Sequence, residues 1–278
     1  MRQLTGLVIL GLMALLVTAG ALLPPQDIHA VDLLNRHGGS DPLHWLGTDH
    51  LGRDLFSRLA SGGWRAMLAT AFAVMLGVSG GLVLGLGAAV APAGLRAVLL
   101  RAADMLALLP ELVVAILVVA IFGFSPWSVA LGIGLGAAGT YGLMVHGLAA
   151  STLGHPFVLA AQALGVSPVG IARRHVLPAV LPALRSYLAS HAGQIVMQYA
   201  ALAFLGFGAD SGAPDWGAML YEYRFHLFDD PALVLWPGLA ILFFVLGLYL
   251  TLEPDAAPRR APLRHRAPVP LAPRLPAE

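Results

Sequence analysis

The chain has 278 residues, of which 58% are hydrophobic and 11% charged, with a mean hydropathy of +0.79. Soluble domains carry roughly 25% charged residues, so the composition excludes a soluble globular protein and requires an integral membrane protein. The net charge of +1 decides little, because in a membrane chain the side on which each charge lies matters more than the sum.

Cysteine is absent, which excludes disulfides, thiolate metal sites and cysteine catalysis. Lysine is absent too, and all 16 basic residues are arginines. A phosphate-binding P-loop needs a lysine that reaches the nucleotide phosphates, so any ATP-driven work falls to another chain.

A crossing helix needs about 20 mostly apolar residues to cover about 30 Å of hydrocarbon. In chain order the apolar stretches are Leu4 to Leu23, Ala66 to Leu95, Met105 to Phe124, Trp127 to Ala150, Leu188 to Gly208 and Ala232 to Leu252. The first also fits a signal peptide, with Arg2 before an apolar run and Ala19-Gly20-Ala21 as a cleavage site. With six crossings and the N-terminus inside, eleven of the sixteen arginines fall on inner segments. The outer segments, Pro24 to Arg65 and Ala209 to Pro231, hold the other five against ten acidic residues. That asymmetry predicts an all-α integral membrane protein with six transmembrane helices inserted N-in, C-in. Its divisions are a first helix and extracytoplasmic segment (1–65), a transmembrane domain (66–253), and a proline- and arginine-rich tail (254–278) expected to be disordered and cytosolic.

In the first outer segment Asp54 and Arg58 stand four apart and can pair on one helix face, with Thr48 as a candidate N-cap. His29, His37, His44 and His50 lie there as well, but their spacings are not those of a metal-ligand motif. Gly77, Gly81 and Gly85 repeat every four residues and mark a close helix contact, within this chain or with a partner. Gly132, Gly134 and Gly136 sit two apart and do not share one face.

Glu111, just after Pro110, is an ionisable group inside the third stretch, either functional or a helix-start residue. In the fifth stretch His191, Gln194 and Gln198 fall at i, i+3 and i+7 on one helix face, with Met197 beside them. Polar residues in a membrane helix face a bundle interior or a water-filled route, so these four are candidate pathway residues or helix-packing groups. Of the polar three, the imidazole of His191 is the ligand suited to a transition metal.

Between the fourth and fifth stretches, Phe157 to Pro178 reads as two short helices. The first breaks at Gly165, the second starts at Ser167-Pro168, and Pro178 is a stop. Ala160, Ala161, Ala163 and Leu164 offer a small apolar knob, and Gly165 supplies a left-handed or tight conformation. By pattern alone this is a docking knob or an ordinary helical hairpin.

The spacing of Ala160-Ala161, Gly165 and Leu177-Pro178 resembles the coupling loop of ABC importer permeases, with Leu159 where that family usually has glutamate. His44-Trp45-Leu46-Gly47-Thr48-Asp49-His50-Leu51-Gly52-Arg53-Asp54 resembles the signature after the first span of the dipeptide, oligopeptide and nickel importer permeases. Phe204-Leu205-Gly206-Phe207-Gly208, Pro214-Asp215-Trp216-Gly217 and Trp236-Pro237-Gly238 are similar to later stretches of that family. The resemblance is nearest to its C-type nickel permeases, in which leucine also stands at the glutamate position. Leu143 and His146, at positions often arginine in the family, and the shortened finish Leu252-Glu253-Pro254 depart from it.

The resemblance implies a type I ABC importer permease fold, with loop 156–178 docking on an ATPase through Ala160, Ala161, Leu164, Gly165 and Pro178. It implies as partners a second homologous permease, two cytoplasmic ATPase subunits, an extracytoplasmic substrate-binding protein and membrane lipid, in a bacterial inner membrane. The cargo would be nickel, free or chelated, or a small peptide. No catalytic residue, cofactor, resident metal or nucleic-acid partner is expected. A membrane enzyme is disfavoured because no serine or carboxylate has a partner base at plausible spacing. A stand-alone secondary transporter would need more intramembrane charge than Glu111 and the histidines supply.

Overall fold

A computed structural model describes residues 2–208 and 212–253; the expected tail, 254–278, lies outside the described residues. Apart from one isolated bridge between Thr48 and Asp54, the regular structure among the described residues is helical. The helices are α1 (Arg2–Leu22), α2 (Leu55–Val90), α3 (Ala93–Leu108), α4 (Glu111–Phe122), α5 (Pro126–Leu153), α6 (Pro156–Ala163), α7 (Pro168–Ile171), α8 (Leu177–Leu202), α9 (Trp216–Tyr223) and α10 (Ala232–Leu252). By length and composition α1, α2, α5 and α10 can cross a membrane, and the pair α3 and α4 makes a fifth span if counted as one.

The second helix starts well before Ala66, because Asp54 caps it. Its side chain accepts the Ser57 N–H at 2.7 Å, satisfying a donor that would otherwise be orphaned. Thr48, the cap expected from sequence, instead binds the Asn35 carbonyl and the Gly38 N–H. At 36 residues α2 is about 54 Å long, so its polar first turns stand beyond about 30 Å of hydrocarbon.

Pro92 ends α2 early, and Pro110 divides the stretch Met105 to Phe124 into two helices meeting at 86°. Proline has no N–H to donate and disfavours helical backbone in the residue before it, so the break falls at Leu109–Pro110. Pro178, expected as a stop, is not one. A π-helical turn, Ala172–Val176, leads directly into α8, with Pro178 in its first turn, where a missing N–H costs little.

The bundle centres on α2 against α5. Gly77, Gly81 and Gly85 abut Ala137, Tyr141, Gly142 and Val145, so the glycine repeat is an internal contact that brings two backbones close. Gly132 and Gly136 face Ala115 and Glu111 of α4, while Gly134 faces Ala73 and Leu76 of α2. Helix α1 packs on α10 through Gly6 and Gly247, and Arg2 meets Glu253 at 3.4 Å. Both ends of the described chain therefore lie at one end of the bundle. Segment 155–176 is at that same end, packed below Val90 and Leu153, and residues 24–54 with 212–231 form a lobe at the other.

Candidate functional site

The segment between α5 and α8 is folded locally. His155 precedes α6, Leu164 caps it, and Gly165 reverses the chain with φ of +80°. A side chain there is strained even though an added Cβ would meet nothing within 4 Å. Ser167 then caps α7, accepting the Gly170 N–H at 3.2 Å.

Val158, Ile171 and Val176 are buried in an apolar cluster with Tyr141, Val145 and Ala149 of α5 and Val180 and Leu184 of α8. The opposite face is bare: Leu164 is 85% exposed, Val169 71%, and Phe157, Leu159 and Ala160 are exposed as well. Ala161, expected on the knob, is buried and serves as part of its anchor. Pro178 is exposed at the start of α8. A cleft of about 690 Å³ beside the knob is lined by Val166, Ser167, Val169, Gly170, Arg173 and Arg174.

Within the bundle, the four residues of the α8 stripe separate. His191 is buried and Gln198 half-buried, and both turn to Glu111, the first residue of α4 after the bend. Glu111 Oε2 lies 3.1 Å from His191 Nε2 and accepts the Gln198 amide N–H at 3.1 Å. His191 Nδ1 lies 2.8 Å from the Tyr141 hydroxyl, and Tyr187 stacks on the same imidazole with centroids 5.3 Å apart. Gln194 and Met197 stay exposed on the neighbouring strip of α8. The sequence singles out Glu111, His191 and Gln198 separately, but nothing in their spacing pairs them. Tyr141, on a helix face of glycine and alanine, gave no signal of its own.

The lobe is a dense ion-pair network. Asp49 is fully buried and takes hydrogen bonds from Arg53 Nε at 2.8 Å, Tyr223 Oη at 3.0 Å and the Leu51 N–H at 2.9 Å. Arg53 and Arg58 both reach Glu222, the latter at 2.8 Å. Burial works against the charged Asp49, but the bonds and charge of Arg53 outweigh it and hold the carboxyl below its ordinary range. Burial pushes Asp215 up to about 6, against the pull of the Tyr199 hydroxyl, the Gly217 N–H and Arg65.

Asp54 and Arg58 do not pair with one another: Asp54 takes His44 at 3.0 Å, and Arg58 goes to Glu222. His37 pairs with Asp230 at 3.1 Å and His50 approaches Glu222 at 3.7 Å, so the early histidines are dispersed among separate partners. Ligand atoms of Asp49, His50 and Glu222 lie within 4.8 Å of one another. The guanidiniums of Arg53 and Arg58 already fill those carboxylates, so the positive charge there comes from the chain itself.

An exposed apolar knob on one end of a helical bundle, a polar cluster at mid-depth and a braced lobe at the far end define a membrane subunit of a transport system. Residues 81–253 match the family described as binding-protein-dependent transport system inner membrane component. The chain belongs to this family, as a multi-pass membrane subunit of an ABC importer and not an enzyme. It is 32% identical over 244 residues to the nickel transport system permease protein NikC of Escherichia coli K12, covering 88% of each chain. It is 31% identical over 245 residues to the glutathione transport system permease protein GsiD of Pectobacterium atrosepticum, covering 88% of this chain and 81% of that one. A GsiD of Shigella flexneri is 31% identical over 250 residues, covering 90% and 82%.

Proposed function

We propose that this chain is one of two homologous permeases in a bacterial inner-membrane importer that carries nickel, a nickel chelate or a small peptide inward. It crosses the membrane six times, by α1, α2, the bent pair α3 and α4, α5, α8 and α10, with both ends of the described chain inside. The arginine distribution supports that orientation. Of the two ATPase subunits, one docks on the segment 155–176 of this chain, and an extracytoplasmic binding protein delivers cargo to the lobe. Relatives named for nickel and for glutathione support that range of cargo.

One observation carries this reading: the knob of Phe157, Leu159, Ala160, Leu164 and Val169 is exposed while its underside is keyed into α5 and α8. Apolar side chains outside the hydrocarbon need a cover, and the keyed underside passes a push on the knob into α8. Two to four turns further along α8, His191 and Gln198 hold Glu111 at the bend. Displacement of the knob is thereby transmitted to the broken span. The exposed strip of Gln194 and Met197 beside that junction lines the route.

Reconstitution into vesicles tests the reading. ATP-dependent uptake that requires the ATPase pair, and vanishes when Leu164 is replaced by arginine in an otherwise assembled complex, is expected. Uptake by the permeases alone would refute it. Orientation is tested separately with single cysteines, since the chain has none of its own. Leu34→Cys, fully exposed on the lobe, should react with an impermeant thiol reagent in intact cells, and Leu164→Cys only after the inner face is opened.

A further inference from the structure

The cluster between α4, α5 and α8 brings ligand-type side chains together. Glu111 Oε2 and His191 Nε2 are 3.1 Å apart. Two lone-pair groups at that separation require something positive between them, either a proton on the imidazole or a cation. Two ligands of one metal ion, each about 2.0–2.2 Å from it, stand about 3 Å apart, which is the separation seen here.

A third donor is at hand. The Gln198 amide points its nitrogen at Glu111 Oε2 at 3.1 Å, while its carbonyl oxygen Oε1 is buried without a hydrogen-bond partner. A half-turn of the amide exchanges the two atoms and presents Oε1 to the same point. Behind the imidazole, Tyr141 Oη at 2.8 Å from Nδ1 is the outer partner that a metal-ligating histidine characteristically has. It accepts the proton when that proton sits on Nδ1, which leaves the Nε2 lone pair aimed at Glu111. The Tyr187 ring fixes the imidazole plane by stacking on it.

From this geometry we infer that Glu111, His191 and Gln198 form a transient site for a divalent transition-metal ion, with Tyr141 as the positioning residue. The donor set of one carboxylate, one imidazole and one amide oxygen suits a borderline cation such as Ni²⁺ or Co²⁺ better than Mg²⁺, which prefers oxygen and water throughout. A three-donor site with neutral and single-charge ligands is also weak enough to release its ion, as a waypoint must. The bound ion displaces the Nε2 proton, to Nδ1 if the imidazole is neutral and to solvent if it is protonated. The groups that face the site are Glu111 from α4, Tyr141 from α5, and Tyr187, His191 and Gln198 from α8, so metal and proton compete for it. This rests on the pathway reading above and narrows its cargo to a metal or a metal carried with a chelator.

The test is metal binding by the full chain in lipid nanodiscs, purified without a histidine tag, with no transport readout. Ni²⁺ is followed by equilibrium dialysis and Co²⁺ by its visible ligand-field absorption, in the wild type and in single variants. The remaining histidines are unchanged between samples, so the difference isolates this site. Wild type should hold one Ni²⁺ that both Glu111→Gln and His191→Gln bind roughly a hundredfold more weakly, with Tyr141→Phe weaker by roughly tenfold. Gln198→Glu, which adds a carboxylate, should bind more tightly and shift the Co²⁺ spectrum, an outcome that misfolding cannot imitate. Equal Ni²⁺ binding in wild type, Glu111→Gln and His191→Gln, with Gln198→Glu no tighter, overturns the site and leaves the cluster as a clasp between α4 and α8. ATP-driven uptake of a peptide by the same complex would then keep the importer reading while this one fails.

Discussion

The lobe of residues 24–54 and 212–231 and the segment 155–176 lie at opposite ends of one bundle and are built on opposite plans. In the lobe, charges are buried and mutually satisfied: two arginines, Asp49, Glu222 and Tyr223 bind one another across stretches far apart in sequence. Segment 155–176 has almost no such ties. Among the described residues its side-chain and turn hydrogen bonds are local, and only a few apolar residues hold it to the bundle. The lobe is braced by many side-chain ties, whereas the segment is held to α5 and α8 by a few apolar contacts. Both use a glycine in the left-handed region, Gly52 at φ +77° and Gly165 at φ +80°, which makes the contrast testable by the same substitution.

Gly52→Ala should have the largest effect. Besides the backbone strain, its Cβ would be driven into the Asp32 carbonyl. Strain and overpacking together cost about 3 kcal/mol or more. Thermal melting of the purified chain in detergent should show it, and a melting point equal to wild type would break the claim that the lobe is rigid.

Next comes Asp215 at the edge of the lobe. Its folded pKa of about 6 lies above the ordinary 3.8, so the folded state holds the proton more tightly than the unfolded chain does. Its contribution is fully present below about pH 4 and is lost as pH rises through 6, by about 3 kcal/mol in total. Asp215→Asn, which can still accept the Gly217 N–H as an N-cap, should flatten that dependence. Melting curves between pH 4 and 7.5 compare the two, and parallel profiles would contradict the burial argument.

Glu222→Ala should cost about 2 kcal/mol, less than removal of a fully buried partner, because Glu222 is 30% exposed and water screens part of the loss. A double-mutant cycle with Arg58→Ala measures the coupling, which should vanish if the lobe's charges act independently.

Gly165→Val should have the smallest effect on stability, about 1 kcal/mol, since an added Cβ meets open space. The melting point should barely change while uptake per ATP hydrolysed falls. Full uptake by a stably assembled Gly165→Val complex would falsify the assignment of this segment to coupling.

Read along the chain, the lobe's signature and segment 155–176 looked equally clear, yet they yielded different kinds of knowledge. For the segment, local rules sufficed: Gly165 and Ser167-Pro168 act through their own backbone, and the structure puts the turn and the cap at those positions. Pro178 did not act as a stop: the π-helical turn Ala172–Val176 runs directly into α8, with Pro178 in its first turn. For the lobe, the pairing inferred from spacing, Asp54 with Arg58, gave way to a partner 164 residues away for Arg58 and to nearer ones for Asp54. Arg58 found a better carboxylate in Glu222, and Asp54 was already engaged by the backbone of α2 and by His44.

The amino-acid sequence by itself determined the membrane location, the helical class, the lack of a lysine-bearing P-loop and the shape of segment 155–176. Each follows from composition or from interactions within a few residues. Only the tertiary structure decided that the third apolar stretch turns by 86° and that its Glu111 meets His191 and Gln198. It also divided the α8 stripe into an inward pair, His191 buried and Gln198 half-buried, and an exposed pair. The physical reason is that helical periodicity assigns a residue to a face but not to a neighbour. Which face is covered depends on the packing of α4 and α5, set by glycines whose only message in the sequence is that something comes close.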